Sequence, residues 1–237
     1  MIKTLSVIFV LFLSLTNASQ ANLLQSGFNA DYDVSYNGME LGVSKRRFIV
    51  DSNQLATYEA TTIPEGFAAL LIKETVTETS KINITRTQIQ PNLYIQSKNK
   101  KGKIEKFQLS FDWKKNKLNN SSSKKNEDLK KNTHDLLSFQ LAIMQDLQKH
   151  KKTMLYRIAT KKHTREYVLN VLNSEKVETA LGEFDVIKLS TTPLKDKSQF
   201  TFWYAPALEY LPVKIQKTNE KGDTFSFTLR AFSIQKK

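Results

Sequence analysis

FNADYDVSYNGMELGV, residues 28–43, decides the fold. Phe28, Ala30, Tyr32, Val34 and Tyr36 alternate with Asn29, Asp31, Asp33 and Ser35, the period of a strand with one face in a core. Asn37 and Gly38 follow, and both tolerate the positive φ that a tight hairpin turn demands. Met39, Leu41 and Val43 resume the alternation on the way back. The stretch therefore reads as an antiparallel pair.

Runs of the same kind continue along the chain: QLATYEATT, TVTETSKINI, LYIQSK, IEKFQLSFDW, TMLYRIAT, REYVLNVL, FDVIKLS, QFTFWYA, PVKIQK and TFSFTLRAF. In the last, the apolar phase slips from Leu229 to Phe232 and Ile234, which predicts a bulge. In QFTFWYAP, Phe200, Phe202 and Tyr204 share one face and Trp203 the other. Pro206 stops that strand because it has no ladder donor, Glu209 and Tyr210 suit a corner, and Pro212 opens the next strand. These runs predict a mainly β protein: an antiparallel, strongly curved sheet or barrel-like domain of about ten to twelve strands.

One segment has a different period. Leu136, Phe139, Ile143 and Leu147 recur at helical spacing, with Leu137, Leu141 and Met144 as a second apolar stripe. Thr133 is the expected cap and Asp135 lies in the first turn. So wide an apolar face places this amphipathic helix against the concave side of the sheet. The stretch LNNSSSKKNEDLKKN ahead of it reads as a polar loop. GFAALLI, residues 66–72, reads as the start of a strand, with an apolar lip over one end of the barrel as the alternative.

Residues 1–21 have the form of a cleavable signal peptide: Lys3, an apolar core from Leu5 to Leu15, then small Ser19 and Ala21. Cleavage is expected after Ala21, leaving 22–237 as a single β-barrel-like domain, and the expected compartment is the periplasm. The chain has no cysteine, which rules out disulfides, a lipoprotein anchor and thiolate chemistry. Its net charge of +13 favours acidic partners such as an anionic membrane surface. Lys98, Lys100, Lys101 and Lys103, around a turn at Gly102, are the candidate anionic contact, with a solvated lysine-rich loop as the plainer reading. Export would separate the protein from nucleic acid.

Catalytic signals are sparse. His134, His150 and His163 lack metal-ligand spacing and read as surface residues, so no metal or cofactor is expected. Neither a nucleophile elbow nor a phosphate-binding loop is present. The carboxylate pairs Asp31/Asp33 and Glu74/Glu78 fall on polar strand faces, where solvation is the default. The leading expectation is a non-enzymatic binding or carrier module for an apolar or amphipathic envelope molecule such as a lipid. Its candidate ligand-binding residues are Trp203, Phe67, Leu70, Leu137, Leu141 and Met144. The alternatives are an envelope factor with a solid core acting in structure or protein interaction, or a hydrolase built on an unrecognised carboxylate site.

Four stretches carry a family resemblance: WYAPALEYLPVKI (203–215), YDVSYNGMELG (32–42), DLLSFQL (135–141) and GEFDVIKL (182–189). Their order resembles that of the exported bacterial family called domain of unknown function 3108. The chain departs from it where an arginine is expected after the helix serine and Ala142, Ile143 and Met144 stand instead. The resemblance implies an antiparallel, barrel-like periplasmic domain and no established activity or catalytic residue.

Overall fold

A computed structural model describes residues 22–51, 54–123, 125–191 and 198–235. The expected signal peptide lies outside the described residues. The opening hairpin forms as the alternation dictates: β1 (Phe28–Tyr36) and β2 (Met39–Val50) pair antiparallel across Asn37 and Gly38, whose φ angles are 49° and 79°. The chain then meanders through β3 (Leu55–Pro64), β4 (Glu74–Ile84), β5 (Ile89–Lys100), β6 (Lys103–Asp112), β7 (Lys117–Asn120) and β8 (Lys125–Asp128). After the short β9 (Thr133–His134) it runs back through β10 (Thr153–Ala159), β11 (Thr164–Thr179), β12 (Gly182–Thr191), β13 (Gln199–Ala205), β14 (Leu211–Thr218) and β15 (Thr224–Ile234). β15 pairs with β1, so the two meanders merge into one sheet, antiparallel except for the β9–β10 pair.

Among the described residues the sheet has 15 strands, more than the ten to twelve expected. The additional strands are β9, at the expected helix cap, and β7 and β8, which occupy the stretch taken for a polar loop. Lys and Asn outnumber apolar residues there, so the period-2 signal rests on Leu118 alone, which is buried. The sheet is also open. No ladder joins β8 to β9, and side chains bridge the two edges instead. Asn120 donates to the Thr160 and Lys161 carbonyls (3.0 and 3.2 Å), and Thr164 donates to Glu127 (2.8 Å).

Two of the register shifts in the sheet fall along β1. The one expected after Leu229 lies opposite Asp31 and Tyr32. The other sets Val34 opposite Gly42 but Ser35 opposite Glu40, leaving Leu41 unpaired. Gly42 is required at this bulge, since a Cβ there would stand 2.1 Å from the Ile63 carbonyl oxygen. Beyond the bulge the inward set on β2 becomes Ser44, Arg46 and Phe48.

The core fills the concave face. Phe28, Phe48 and Tyr58 form a ring cluster with centroids 5.3–5.8 Å apart. α1 (Leu23–Ser26) buries Leu23 and Leu24, and α2 (Ala68–Leu71) joins β3 to β4. α3 (Ser138–Gln148) lies inside the curve as expected, with Leu137, Leu141, Ile143 and Met144 buried. Its cap is Asp135 and not Thr133. The Asp135 carboxylate accepts from the Leu137 and Ser138 amides (2.8 and 2.9 Å), while Thr133 belongs to β9 and donates to the Lys130 carbonyl (2.7 Å).

Candidate functional site: an apolar chamber open at one end

Strand directions sort the connections onto two ends of the curved sheet. The turns at 37–38, 65–73, 101–102, 160–163 and 219–223 share one end, and those at 85–88, 113–116 and 206–210 share the other. α3 points its C-terminal half at the second end. There Gln145 donates to the Thr85 carbonyl (2.9 Å), Lys149 to the Thr87 carbonyl (3.3 Å) and Gln148 to Glu209 (3.4 Å). That end is plugged. The first end is hollow.

A cavity of about 230 Å3 lies between the first turn of α3 and the sheet. Leu137, Phe139, Ile158, Phe202, Ile215 and Phe227 make its floor and walls, and Thr160, Phe200, Lys217 and Phe225 stand toward the open end. The ring faces are fixed by edge contacts: Phe139 meets Tyr156 at 5.1 Å and Phe202 at 5.6 Å, and Tyr167 meets Phe200 at 6.0 Å. The volume is somewhat below the roughly 300–1,000 Å3 of drug-sized ligand pockets.

Few polar groups reach this apolar space. Arg46 lines it and is only 5% exposed. Its guanidinium sits over the Tyr32 ring (4.4 Å) and the Phe227 ring (4.9 Å), and its Nη1 donates to Gln140 Oε1 (2.5 Å). Its Nε is buried with no partner among the described residues. Burial works against the charge, but Tyr58, Tyr32 and Glu78 outweigh it, so Arg46 remains a cation. Glu78, also in the lining, accepts from Tyr94 and from Gln96 (3.3 Å). Lys217 lies 5.6 Å over the Phe200 ring near the mouth. Taking a guanidinium out of water costs several kcal/mol, which makes Arg46 the least ordinary residue of the chamber.

Of the residues singled out from the sequence, Leu137 lines the cavity, while Leu141 and Met144 pack beneath it in the core. Trp203 lies on the opposite face of β13, away from the chamber. Its indole donates to Glu175, and Lys188 and Lys214 stand 5.5 and 5.1 Å over its ring. The indole, then Lys188, hold the Glu175 carboxyl below its ordinary range. Phe67 and Leu70 are 74% and 69% exposed at the end of the sheet and do not line this cavity. GFAALLI is thus a one-turn helical lip and not a strand start. Lys98, Lys100, Lys101 and Lys103 flank Gly102 on the β5–β6 hairpin as expected, with Lys98 bridged to Glu74 at 3.6 Å.

Three buried groups escaped the sequence reading. Arg46 looked outward until the Leu41 bulge reversed the phase of β2. His134, read as a surface residue, is buried against Tyr156 at 5.6 Å, and burial lowers its pKa to about 4. Asp135 is fully buried and accepts from Ser80 (2.7 Å) and Ser138 (2.9 Å) besides its cap bonds. Burial pushes its pKa up, against the pull of those bonds. It holds the helix start to β4. Among the described residues no cluster of three His, Asp or Glu could hold a metal ion.

A family model described as a protein of unknown function, DUF3108, matches residues 31–230. The chain belongs to this family. The DUF3108 fold is shared with a solved structure described as a beta-barrel-like protein of domain of unknown function DUF1849 from Brucella abortus. The TM-score is 0.59 at 9% identity, covering 90% of this chain and 99% of that one. A weaker likeness, with TM-score 0.36 and 11% identity, is to the MucA/MucB complex of Pseudomonas aeruginosa, covering 87% of this chain and 51% of that chain. No curated protein matches the sequence.

Proposed function

We propose that this DUF3108 protein is a periplasmic, non-enzymatic binding or carrier module that houses the apolar chain of an amphipathic envelope molecule. The observation that carries the reading is the chamber of about 230 Å3, walled by Leu137, Phe139, Phe202, Ile215 and Phe227 and open at one end. The Arg46 cation within it and Lys217 near its mouth favour a ligand with an acidic head. The form of residues 1–21 supports export. Three of the four carboxylates considered for hydrolysis have partners of their own: Glu74 is bridged to Lys98, Asp33 lies 3.5 Å from Arg230, and Glu78 is held by Tyr94.

The test is native mass spectrometry of the protein purified from its own cells, followed by solvent extraction of whatever it carries. The expected result is a one-to-one complex with an acyl-chain amphiphile that extraction releases. A protein free of any bound molecule that also fails to take up added dodecanoate overturns the reading and favours a solid structural module.

A further inference from the structure

The open end of the sheet carries two features that neither the chamber nor the core uses. The first is α2, where Phe67, Leu70 and Leu71 are 74%, 69% and 73% exposed while the helix is seated by Ala68, buried at 7%. Scattered exposed apolar residues are ordinary, but three large ones on a single turn form a patch. The second is a run of exposed lysines beside it. The Lys101 amide donates to the Lys73 carbonyl (3.3 Å) directly after α2, and Glu74 pairs with Lys100, so Lys73, Lys100, Lys101 and Lys103 stand next to the apolar turn. Ile104, 64% exposed, adds to the apolar area on the same hairpin.

From this juxtaposition we infer that the α2 tip and the β5–β6 turn form a docking surface for an anionic lipid bilayer. Apolar side chains that enter the headgroup boundary, ringed by lysines that meet acidic headgroups, are how a peripheral protein holds such a surface. Glu65 and Glu74 also stand at this rim, but each is bridged to a base, Glu65 to Arg230 (3.2 Å) and Glu74 to Lys98 (3.6 Å), so the lysines leave a net positive charge that suits an anionic bilayer. Because the surface sits at the end where the chamber opens, docking presents the chamber mouth toward the lipid. The inference does not depend on the chamber being filled.

Flotation of the protein, purified from its own cells, with vesicles of phosphatidylglycerol or of phosphatidylcholine tests it. Each lysine near an anionic surface contributes about 1 kcal/mol, roughly fivefold in affinity. Binding to phosphatidylglycerol is therefore expected to exceed binding to phosphatidylcholine by roughly several hundredfold at low salt, and to fall steeply as salt shortens the Debye length. Replacing Lys73, Lys100, Lys101 and Lys103 by Gln removes the preference. Replacing Phe67, Leu70 and Leu71 by Ser lowers binding at least tenfold on phosphatidylglycerol. Unchanged melting temperatures confirm that both variants fold, as every substituted side chain is exposed. Equal binding to the two vesicles, wild-type binding by the Ser variant, or a concentration-dependent dimer that the Ser variant abolishes would each overturn the inference. Loss of dodecanoate uptake with vesicle binding intact counts against the chamber alone.

Discussion

The two ends of this sheet are built from the same strands and end up with opposite characters. At one end Leu23 and Leu24 of α1, Leu147 of α3 and the hydrogen bonds from Gln145, Gln148 and Lys149 close the interior. At the other, the first turn of α3 and aromatic walls face a hollow. Length explains the difference. α3 has 11 residues and spans about 16 Å, whereas β2 and β5, of 12 residues each, span about 40 Å. A single short helix can fill only about half of such a curve, so a chamber follows from the fold unless large side chains fill the rest. Here they do not.

The largest expected effect comes from breaking the packing of α3 inside the sheet. Leu141 is 1% exposed, and Leu141→Asp buries an unpaired charge at a cost of several kcal/mol, so the domain should lose its cooperative thermal transition. A variant that melts like the parent would mean that α3 is a surface lid. Next in size is the helix start. Asp135→Ala strips the cap and leaves Ser80 and Ser138 without their acceptor, a loss of about 3 kcal/mol in denaturant unfolding. Asp135→Asn keeps an accepting oxygen and should lose less than half as much.

A similar or smaller effect should appear as a pH dependence. In the folded state the His134 pKa is lowered to about 4, against about 6.5 when unfolded. Its contribution to stability is therefore complete above pH 6.5 and is lost as the pH falls toward 4, by about 3 kcal/mol. His134→Phe should flatten that slope relative to wild type, and an unchanged difference between the two proteins across this window would show the imidazole to be solvated. The open end should respond least. Substituting the exposed Phe67, Leu70 and Leu71 by Ser should change stability by about 0.5 kcal/mol or less.

Most of this architecture is legible from period alone. The β1–β2 hairpin, the corner at Pro206 to Pro212, the slip after Leu229 and the apolar stripe of α3 announce themselves because burial and local turn chemistry agree at each. The corner shows how closely: Glu209 and Tyr210 take φ of 52° and 60° where a corner was expected. The strands β7 and β8 were hidden because lysine and asparagine mask a half-buried period. The chamber was less legible still. Its walls come from residues far apart in sequence, and its one buried cation faces inward only because Leu41 drops out of the ladder. His134 carries no local sign of burial, since a two-residue strand has no period to read. The bulge at Leu41 did have a sign, Gly42 within an otherwise alternating run, which commonly marks a bulge or a close backbone approach.

The most direct measurement is a fluorescence titration with cis-parinaric acid, an acyl chain that brightens in apolar surroundings, on three proteins. Wild type should bind it saturably and one to one. Ile215→Trp, which places an indole in the chamber while costing about 1–3 kcal/mol of stability, should lose that binding yet remain folded. The Phe67→Ser, Leu70→Ser, Leu71→Ser variant should bind like wild type, because those side chains lie outside the chamber. Saturable binding that survives Ile215→Trp and disappears with the α2 residues would contradict the account, placing the acyl chain on the rim and leaving the chamber without a ligand.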